Sequence, residues 1–207
     1  MEIKGAITTL FVDIGGVLLS NGWSHQSRHL AASMFNIDFE EMENRHQVIF
    51  VSHEEGKLAL DEYLKRVVFY KEREFTNEQF RDFMFSQTTP FPEMINLIKK
   101  LKEKYGLKIA VVSNEAKVLN EYRIQKFQLA TFVDFFISSC YVHLRKPDAD
   151  IFRMALNIAQ VQPSEVIYIE DTPMLIDVSA DLGIKGILHK DYSSTASELA
   201  AIGLNID

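Results

Sequence analysis

Cysteine is almost absent from this 207-residue sequence, in which Cys140 is the only one. A single cysteine cannot form an intramolecular disulfide, and this composition suits a reducing compartment. Free cysteines of this kind are usually inert, buried side chains. We therefore expect no redox role for this thiol.

The sequence also lacks an excess of positive charge and any long apolar run. Its formal net charge is −7 and its pI is about 5.4. The sequence therefore lacks the excess of positive charge that is typical of proteins that bind nucleic acid, and bulk binding to an anionic membrane is not expected either. No run approaches the roughly 18 apolar residues of a membrane-spanning helix. The start "MEIKGAITTLFVD" lacks the core and cleavage site of a secretory signal. We expect a soluble, cytoplasmic protein.

What the sequence does contain is an alternation of short apolar runs with longer amphipathic stretches. The short runs are continuously apolar, which predicts strands that are buried on both faces in a parallel sheet with helices on each side. The predicted strands are residues 7–13, 108–114, 133–139, 166–171 and 185–189. This pattern predicts an α/β fold with a doubly wound sheet.

Residues 20–89 break this alternation, because they contain no convincing strand pattern. They contain helical runs instead, such as "SRHLAASMF", "LDEYLKRVVFY" and "TNEQFRDFMF". The last run begins with Thr76 and Gln79 at the spacing of a capping box. An insertion of this size after the first strand predicts an all-helical cap domain over 20–89 and a core of 1–19 with 90–207. We expect the chain to cross between them at "SNGW" and "SQTTPFP".

Polar side chains follow the ends of four predicted strands. In a doubly wound sheet the ligand lies outside this carboxyl edge. A hard cation such as Mg²⁺ takes carboxylate oxygens and usually shares the phosphate of a substrate. The pattern therefore predicts a cation and phosphate site, with these candidate residues in chain order: Asp13, Ser113, Asn114, Lys146, Glu170 and Asp171.

Each candidate also has a simpler structural interpretation. Ser113 or Asn114 could cap a following helix, and Pro147 could open another. Thr172 suits the start of a third helix. The glycines after the first acid could form only a tight turn. The order of acid, hydroxyl, lysine and acid pair after successive strands favours the functional interpretation.

These motifs resemble, in order, those of the haloacid dehalogenase superfamily of hydrolases, most of which are phosphatases. "FVDIGGVL" resembles the first motif, in which hydrophobic residues precede D-x-D-G-[TV]-[LV], and "VVSN" resembles the second. "RKPD" resembles the third motif and "YIEDTPMLIDVSADLG" the fourth. The resemblance covers nearly the whole chain. It implies a Rossmann-like core with a helical cap, Mg²⁺ dependence and phosphoryl transfer through an aspartyl phosphate.

The resemblance also implies a role for each matching position. Asp13 matches the nucleophile, and phosphoryl transfer requires such an in-line nucleophile together with positive charge on the phosphate oxygens. Lys146 supplies such a charge and matches both a catalytic and a phosphate-binding position. Ser113 and Asn114 match phosphate-binding positions. The implied metal ligands are Asp13, the backbone carbonyl of Gly15, Glu170 and Asp171.

Gly15 departs from the family pattern, which usually has a second aspartate there. In the family the carbonyl of that aspartate ligates the metal, while its side chain protonates the leaving oxygen and later activates water. Glycine retains only the carbonyl, and a positioned acid or base contributes typically about 10²–10⁴-fold. The loss of rate should be smallest for esters whose leaving group needs little protonation, such as anomeric sugar phosphates or aryl phosphates. His25, near the cap entrance, is the nearest candidate replacement.

The sequence thus predicts an Mg²⁺-dependent phosphatase for a small phosphorylated metabolite, with sugar phosphates among the candidates. One alternative is a non-catalytic phospholigand-binding or regulatory protein, which Gly15 motivates. Another is a haloacid dehalogenase, which needs no metal and would gain nothing from the adjacent Glu170 and Asp171.

The other aromatic and imidazole side chains receive less specific interpretations. Trp23 suits either the core of the cap or a position over the cleft. Four histidines show no metal-ligand spacing and are interpreted as structural: His46, His53, His143 and His189.

Overall fold

The computed structural model describes residues 6–206, so the first five residues and the last residue of the predicted core lie outside the described part. Within this range one sheet contains five parallel strands in the order β3-β2-β1-β4-β5, with β1 at the centre. This arrangement confirms the predicted doubly wound α/β fold. The strands are β1 (Thr9–Val12), β2 (Lys108–Ser113), β3 (Phe135–Ser138), β4 (Val166–Glu170) and β5 (Lys185–Leu188).

Helices cover both faces of the sheet and fill the connection between β1 and β2. The four that follow β1 are α1 (His25–Met34), α2 (Phe39–Glu54), α3 (Leu60–Val67) and α4 (Asn77–Ser86). The others are α5 (Pro92–Tyr105), α6 (Lys117–Lys126), α7 (Ser139–Val142), α8 (Ala149–Ala159), α9 (Pro173–Asp181) and α10 (Tyr192–Ala201).

The core lies on both sides of the sheet, because successive side chains of a strand point to opposite faces. In β1, Leu10 and Val12 join one apolar cluster that includes residues of α5 and α10. Phe11, between them, joins the opposite cluster with residues of α8. All three side chains are fully buried, so the continuous apolar run reflects burial on both faces.

Two of the simpler interpretations of the strand ends are wrong, because the following helices begin later than expected. Helix α6 begins at Lys117 after Ala116, so neither Ser113 nor Asn114 caps it. Helix α8 begins after Asp148, whose side chain accepts from the backbone of the first turn, and Pro147 precedes that cap. Thr172 does precede the first residue of α9, as expected.

Helices α1–α4 form a helical insertion with an apolar cluster of its own, which includes Tyr63 and Phe80. The expected capping box at Thr76 and Gln79 begins α4. The longest helix of the insertion, α2, was not predicted. Its buried residues are Met42, His46 and His53, so it lacks the apolar stripe by which an amphipathic helix is recognised.

The two chain segments that join the insertion to the sheet lie side by side. The Ser20 amide donates to the Thr89 carbonyl at 2.8 Å. The Ser20 hydroxyl oxygen accepts from the Thr89 amide at 2.9 Å and donates to the Gln87 carbonyl at 3.1 Å. The insertion therefore begins and ends at one hydrogen-bonded junction next to the carboxyl edge of β1. Among residues 6–206, none of the helices has the length and apolar character needed to span a bilayer.

Candidate active site

The carboxyl edge of the sheet brings the predicted site residues together. Asp13 follows β1, Ser113 ends β2, and Glu170 ends β4 with Asp171 directly after it. Lys146 comes from the loop before α8. Because β1 lies between β2 and β4, residues far apart in sequence face one cleft at this edge.

Three carboxyl groups lie close enough to share one cation. Asp13, Glu170 and Asp171 each offer an oxygen, and these atoms lie within 4.8 Å of one another. Asp13 and Glu170 are buried, whereas Asp171 is half-buried. Carboxylates this close repel one another, so the cluster needs positive charge to remain ionised.

Lys146 provides positive charge from within the protein. Its ammonium lies 2.6 Å from Glu170 Oε2, 3.0 Å from Asp13 Oδ1 and 3.0 Å from the Tyr168 hydroxyl. Burial alone would lower the pKa of Lys146, but the carboxylates of Asp13 and Glu170 outweigh it and raise the pKa above its ordinary value. The side chain is therefore a charged ammonium although it is only 2% exposed.

Asn114 fixes the backbone that carries this lysine. Its side-chain amide donates to the Lys146 carbonyl at 2.9 Å, and its side-chain oxygen accepts from the Lys146 amide at 2.8 Å. Both polar atoms of Asn114 are thus engaged with another part of the protein. This geometry suits a positioning role, and direct phosphate binding by this side chain stays a prediction.

Both carboxylate oxygens of Glu170 accept hydrogen bonds. Its Oε1 accepts from the backbone amides of Asp171 and Thr172, each at 3.1 Å, and its Oε2 accepts from Lys146 and the Tyr168 hydroxyl. Burial tends to raise the pKa of Glu170, but Lys146 and these hydrogen bonds outweigh it and lower the pKa. Because a carboxylate has about four acceptor positions, Glu170 has little capacity left for a metal and is suited to orient its neighbours.

Asp13 and Asp171 differ from Glu170 in having raised pKa values. Burial raises the pKa of Asp13, and Glu170 adds to this effect against the opposing charge of Lys146 and a hydrogen bond from Ser113. Burial also raises the pKa of Asp171 to about 6, with further contributions from Glu170 and Asp13. A divalent cation would offset this mutual repulsion, and carboxylate oxygens are the donors that Mg²⁺ prefers. The donor set therefore fits Mg²⁺.

The two glycines after Asp13 have different surroundings. Gly16 has a φ of 77°, and a Cβ there would overlap the Asp171 carboxylate, so only glycine fits. At Gly15 a Cβ would stand 2.7 Å from the side-chain oxygen of Asn21, whose amide nitrogen lies 3.5 Å from Asp171 Oδ2. His25 is exposed and lines a different cavity, so its predicted role as a replacement acid gains no support from its position.

The cleft consists of two adjoining cavities between the sheet edge and the insertion. The site cavity, of about 300 Å³, is lined by Asp13, Lys146 and Asp171 among others. The inner cavity, of about 290 Å³, lies next to α2 and shares lining residues such as Trp23 with the site cavity. Trp23 also packs edge-on against Phe80 of the insertion, so both of its expected roles are compatible with its position.

The C-terminal end of α2 is bound to the core in this structure. The Glu54 carboxylate accepts from Arg145 at 2.6 Å, and the Glu54 carbonyl accepts from the Ser139 hydroxyl at 2.6 Å. His143 Nδ1 donates to the Glu55 carbonyl, also at 2.6 Å. The insertion therefore contacts the core at the end of α2, next to the cleft.

Several residues in or beneath the cleft were given no functional role from the sequence. Tyr168 lies in the middle of an apolar strand, where a tyrosine is ordinarily a core residue. Arg123 bridges the Glu115 carboxylate and the Ser20 carbonyl, although it lies on a helix with no motif. Asn21 was predicted only as part of the crossing point. Their positions depend on tertiary packing, which spacing alone does not reveal.

The fold and this site define a family of hydrolases. The family model described as haloacid dehalogenase-like hydrolase matches residues 7–180, so the chain belongs to this family and is a hydrolase. The resemblance inferred from the four motifs is thereby confirmed.

The sequence identity to individual relatives is low. The chain is 25% identical over 171 residues to flavin mononucleotide hydrolase 1 of Arabidopsis thaliana, which covers 80% of this chain and 66% of that protein. It is 28% identical over 129 residues to phosphoglycolate phosphatase of Aquifex aeolicus, covering 60% of each. The chain thus spans less than two thirds of the length of these relatives.

The fold is similar to that of a solved haloacid dehalogenase family enzyme from Bacteroides thetaiotaomicron, which was crystallised with magnesium and inorganic phosphate. The TM-score is 0.76 with 21% identity, over 89% of this chain and 95% of the other. At this identity the likeness establishes the fold.

Proposed function

We propose that this protein is an Mg²⁺-dependent phosphatase that hydrolyses a small phosphorylated metabolite through an aspartyl phosphate on Asp13. The observation that carries the proposal is the position of Asp13. Its carboxylate lies at the end of the central strand, 3.0 Å from the Lys146 ammonium, and faces a cavity of about 300 Å³. A carboxylate with an adjacent buried cation is suited to attack a phosphate, whose own charge would otherwise repel it.

The residues of the chain supply the nucleophile and the phosphate-binding groups for both half-reactions. A carboxylate oxygen of Asp13 attacks phosphorus in line as the bond to the leaving oxygen breaks, and Lys146 and Ser113 bind the phosphate oxygens. Water then attacks phosphorus, the bond to Asp13 breaks, and inorganic phosphate leaves. Mg²⁺, when bound, neutralises charge on the phosphate. Asp13, Asp171 and the carbonyl of Gly15 would hold it, with Glu170 orienting Asp171 and Lys146.

Gly15 contributes no side chain to proton transfer, so the leaving oxygen takes its proton from elsewhere. This favours leaving groups of low pKa, such as anomeric sugar and aryl alcohols, over simple alkyl alcohols. We further propose that residues 20–89 act as a cap that opens at the Ser20 and Thr89 junction to admit substrate and closes to exclude water. The cytoplasmic location stays a prediction from composition.

The relatives support this chemistry. The names flavin mononucleotide hydrolase and phosphoglycolate phosphatase describe hydrolysis of phosphate esters. The Bacteroides enzyme was crystallised with magnesium and inorganic phosphate, two components of the proposed reaction. Together with the acid cluster, they favour a phosphatase over a dehalogenase, for which the charge of Glu170 and Asp171 would have no use.

The test is release of inorganic phosphate from a panel of aryl, sugar 1- and sugar 6-phosphates, with Mg²⁺ and after chelation. We expect turnover that requires Mg²⁺ and falls below about 1% in Asp13→Asn, which corresponds to a loss of at least about 2.7 kcal/mol. Asp177→Asn, an exposed aspartate on α9, is the matched control and should retain the parent rate.

Other outcomes identify the alternatives. Binding of phosphate esters without any turnover would favour the non-catalytic interpretation. Release of halide from a 2-haloacid without metal would favour a dehalogenase. Activity in Asp13→Asn above about 1% of the parent would overturn the assignment of the nucleophile.

A further inference from the structure

The inner cavity is lined by two histidines whose roles the proposed chemistry leaves open. His46 and His53 both lie on α2 and are 7% and 6% exposed. The cavity shares Trp23 and Glu54 with the site cavity, so the leaving group of an ester bound at Asp13 would extend into it. Groups lining such a space decide which leaving groups fit.

A chain of hydrogen bonds fixes the proton on His46. The indole N–H of Trp23 can only donate, and it donates to the Tyr63 hydroxyl oxygen at 2.8 Å. Among residues 6–206, His46 Nδ1, also at 2.8 Å, is the one acceptor within reach of the buried Tyr63 hydroxyl, so Tyr63 donates to it. Since Nδ1 accepts, the neutral imidazole carries its proton on Nε2. Burial lowers the pKa of His46 to about 4, so this neutral form prevails at neutral pH.

His53 has the opposite arrangement. Its Nδ1 lies 2.8 Å from the Leu58 carbonyl oxygen, which can only accept, so Nδ1 carries the proton and Nε2 is an acceptor. Burial lowers the pKa of His53 as well, which keeps it neutral. Its ring stacks on Tyr63 at 4.3 Å between centroids, which fixes its orientation. Among residues 6–206, neither His46 Nε2 nor His53 Nε2 has a hydrogen-bond partner.

Above about pH 7, where Glu115 is ionised, the charges around the inner cavity are already neutralised. Each charged side chain of its lining forms an ion pair within the part of the chain that the structure describes: Arg28 with Glu43, Arg123 with Glu115, and Glu54 with Arg145. A carboxylate or ammonium on the leaving group would therefore lose hydration without gaining a free counterion. An uncharged leaving group loses much less.

We propose that His46 and His53 are specificity-determining residues that select an uncharged, hydroxylated leaving group. Hydroxyls both accept and donate, so different hydroxyls of the leaving group can accept from His46 Nε2–H and donate to His53 Nε2. An analogue without the hydroxyl would leave a buried donor or acceptor unpaired, which weakens its binding. The proposal rests on the phosphatase function and narrows its substrate class to esters of hydroxylated alcohols, such as anomeric sugar phosphates.

The test compares hexose, pentose and glycerol phosphates with their deoxy analogues and with phosphoglycolate, whose leaving group is charged. The measured quantity is the ratio of kcat/KM for the hydroxylated ester to that for each analogue. For at least one hydroxylated ester, we expect a ratio of about ten or more in the parent. In His46→Asn and His53→Asn this ratio should fall towards one, mainly through KM.

These substitutions test the roles of the two ring nitrogens separately. Asparagine places a polar atom near the position of Nδ1, so it can keep the contact with Tyr63 or Leu58 while removing the group at Nε2. His46→Gln places an amide nitrogen near the position of Nε2 and should restore part of the selectivity. His189→Asn is the matched control, because His189 is a buried histidine bonded to Thr195 at 2.7 Å outside this cavity. Its ratio should equal that of the parent.

Each contrary outcome is distinguishable. If the parent hydrolyses p-nitrophenyl phosphate but shows no preference for hydroxylated esters, or prefers phosphoglycolate, the proposed selectivity is wrong and the phosphatase function stands. If both asparagine variants lose the same factor on every ester, the histidines are structural and the proposal is wrong. If no ester is hydrolysed, p-nitrophenyl phosphate included, the phosphatase function fails together with it.

Discussion

The side-chain oxygen of Asn21 lies 2.7 Å from the position that a Cβ on Gly15 would take. The space beside Gly15 is therefore filled by a residue from the junction with the insertion. The amide of Asn21 also lies 3.5 Å from Asp171, so this side chain stands among the site carboxylates without providing an acid or a base. A Cβ at position 15 would have to displace only the tip of Asn21.

Gly15→Asp should therefore fold and gain a proton-transfer group. The φ of Gly15 lies outside the left-handed region, so a residue with a Cβ adds no backbone strain there. We expect hydrolysis of alkyl phosphates to rise by about 10²-fold, within the range of a positioned acid, while aryl phosphates change little. A leaving-group series measured on both proteins gives the comparison.

Gly15→Asn is the control for this change, because it has nearly the same size without an ionisable group. It should keep the steep leaving-group dependence of the parent. A flat leaving-group dependence in the parent would mean that another residue already supplies the acid.

Gly16→Ala, by contrast, should lose both activity and stability, since its Cβ would overlap the Asp171 carboxylate at a φ of 77°.

Asp171→Ala should abolish Mg²⁺ binding. Its carboxylate accepts from Asn21 at 3.5 Å and Thr172 at 3.2 Å and has no cationic partner among residues 6–206, so it is available to a cation. Titration calorimetry with Mg²⁺ measures the effect, and Asp177→Ala, at an exposed position on the following helix α9, is the control. Equal Mg²⁺ affinity in Asp171→Ala and the parent would place the cation elsewhere.

Gly56→Ala should loosen the insertion from the core. Gly56 follows α2 with a φ of 69°, and its Cβ would overlap the carbonyl oxygen of Cys140. Gly106→Ala is a matched control, because its φ is 66° and a Cβ there meets nothing within 4 Å. Both variants bear the backbone strain of about 1–2 kcal/mol, and only Gly56→Ala bears the overlap as well. Urea denaturation should therefore show a larger loss of unfolding free energy for Gly56→Ala, and its KM should rise. Equal losses in the two variants would mean that this contact does not hold the insertion against the core.

Stability should depend on pH through Glu115. Burial raises the pKa of Glu115 from 4.5 to about 7, with contributions from Asp13 and Glu54 against the opposing charge of Arg123. Between these two values the folded state holds a proton that the unfolded chain has lost, so the unfolding free energy falls as pH rises through this window. Glu115→Gln should show a smaller fall when denaturation is measured at a series of pH values.

Glu43→Gln provides the contrast for that experiment. The hydrogen bonds from Arg28 lower the pKa of Glu43 to about 2, so its contribution to stability is present above pH 4.5 and is lost as the pH falls towards 2. Between pH 4.5 and 7 this variant should therefore have the slope of the parent. An unchanged slope in Glu115→Gln would show that the buried carboxyl is ionised throughout this range.

The sheet and the acid cluster could be predicted from the sequence because both depend on local patterns. Parallel strands buried on both faces are continuously apolar, and the residue after such a strand must lie at the ligand-binding edge. Asp13 and Asp171 were found in this way. Thr172 was likewise interpreted from its position, whereas the role given to Gly15 came from the family resemblance.

The inner cavity could not be predicted, because the helix that builds it carries little hydrophobic signal. Two of the three buried residues of α2 are His46 and His53, which sequence patterns treat as polar. Their burial is made possible by hydrogen bonds to Tyr63 and Leu58, which lie on or just before α3. Such pairing depends on how two helices meet, and no spacing within either one encodes it.

The junction at Ser20 and Thr89 has a consequence for how such a protein can change over evolution. Because both ends of the insertion meet at one hydrogen-bonded point, the sheet constrains where this segment is attached and hardly constrains its length or internal design. The entropy of closing a loop also rises only slowly with its length. A different helical module grafted at this point would leave Asp13 and Lys146 in place and replace His46 and His53 at once. New selectivity could therefore arise by exchanging one segment, without altering the residues that cleave the phosphate ester.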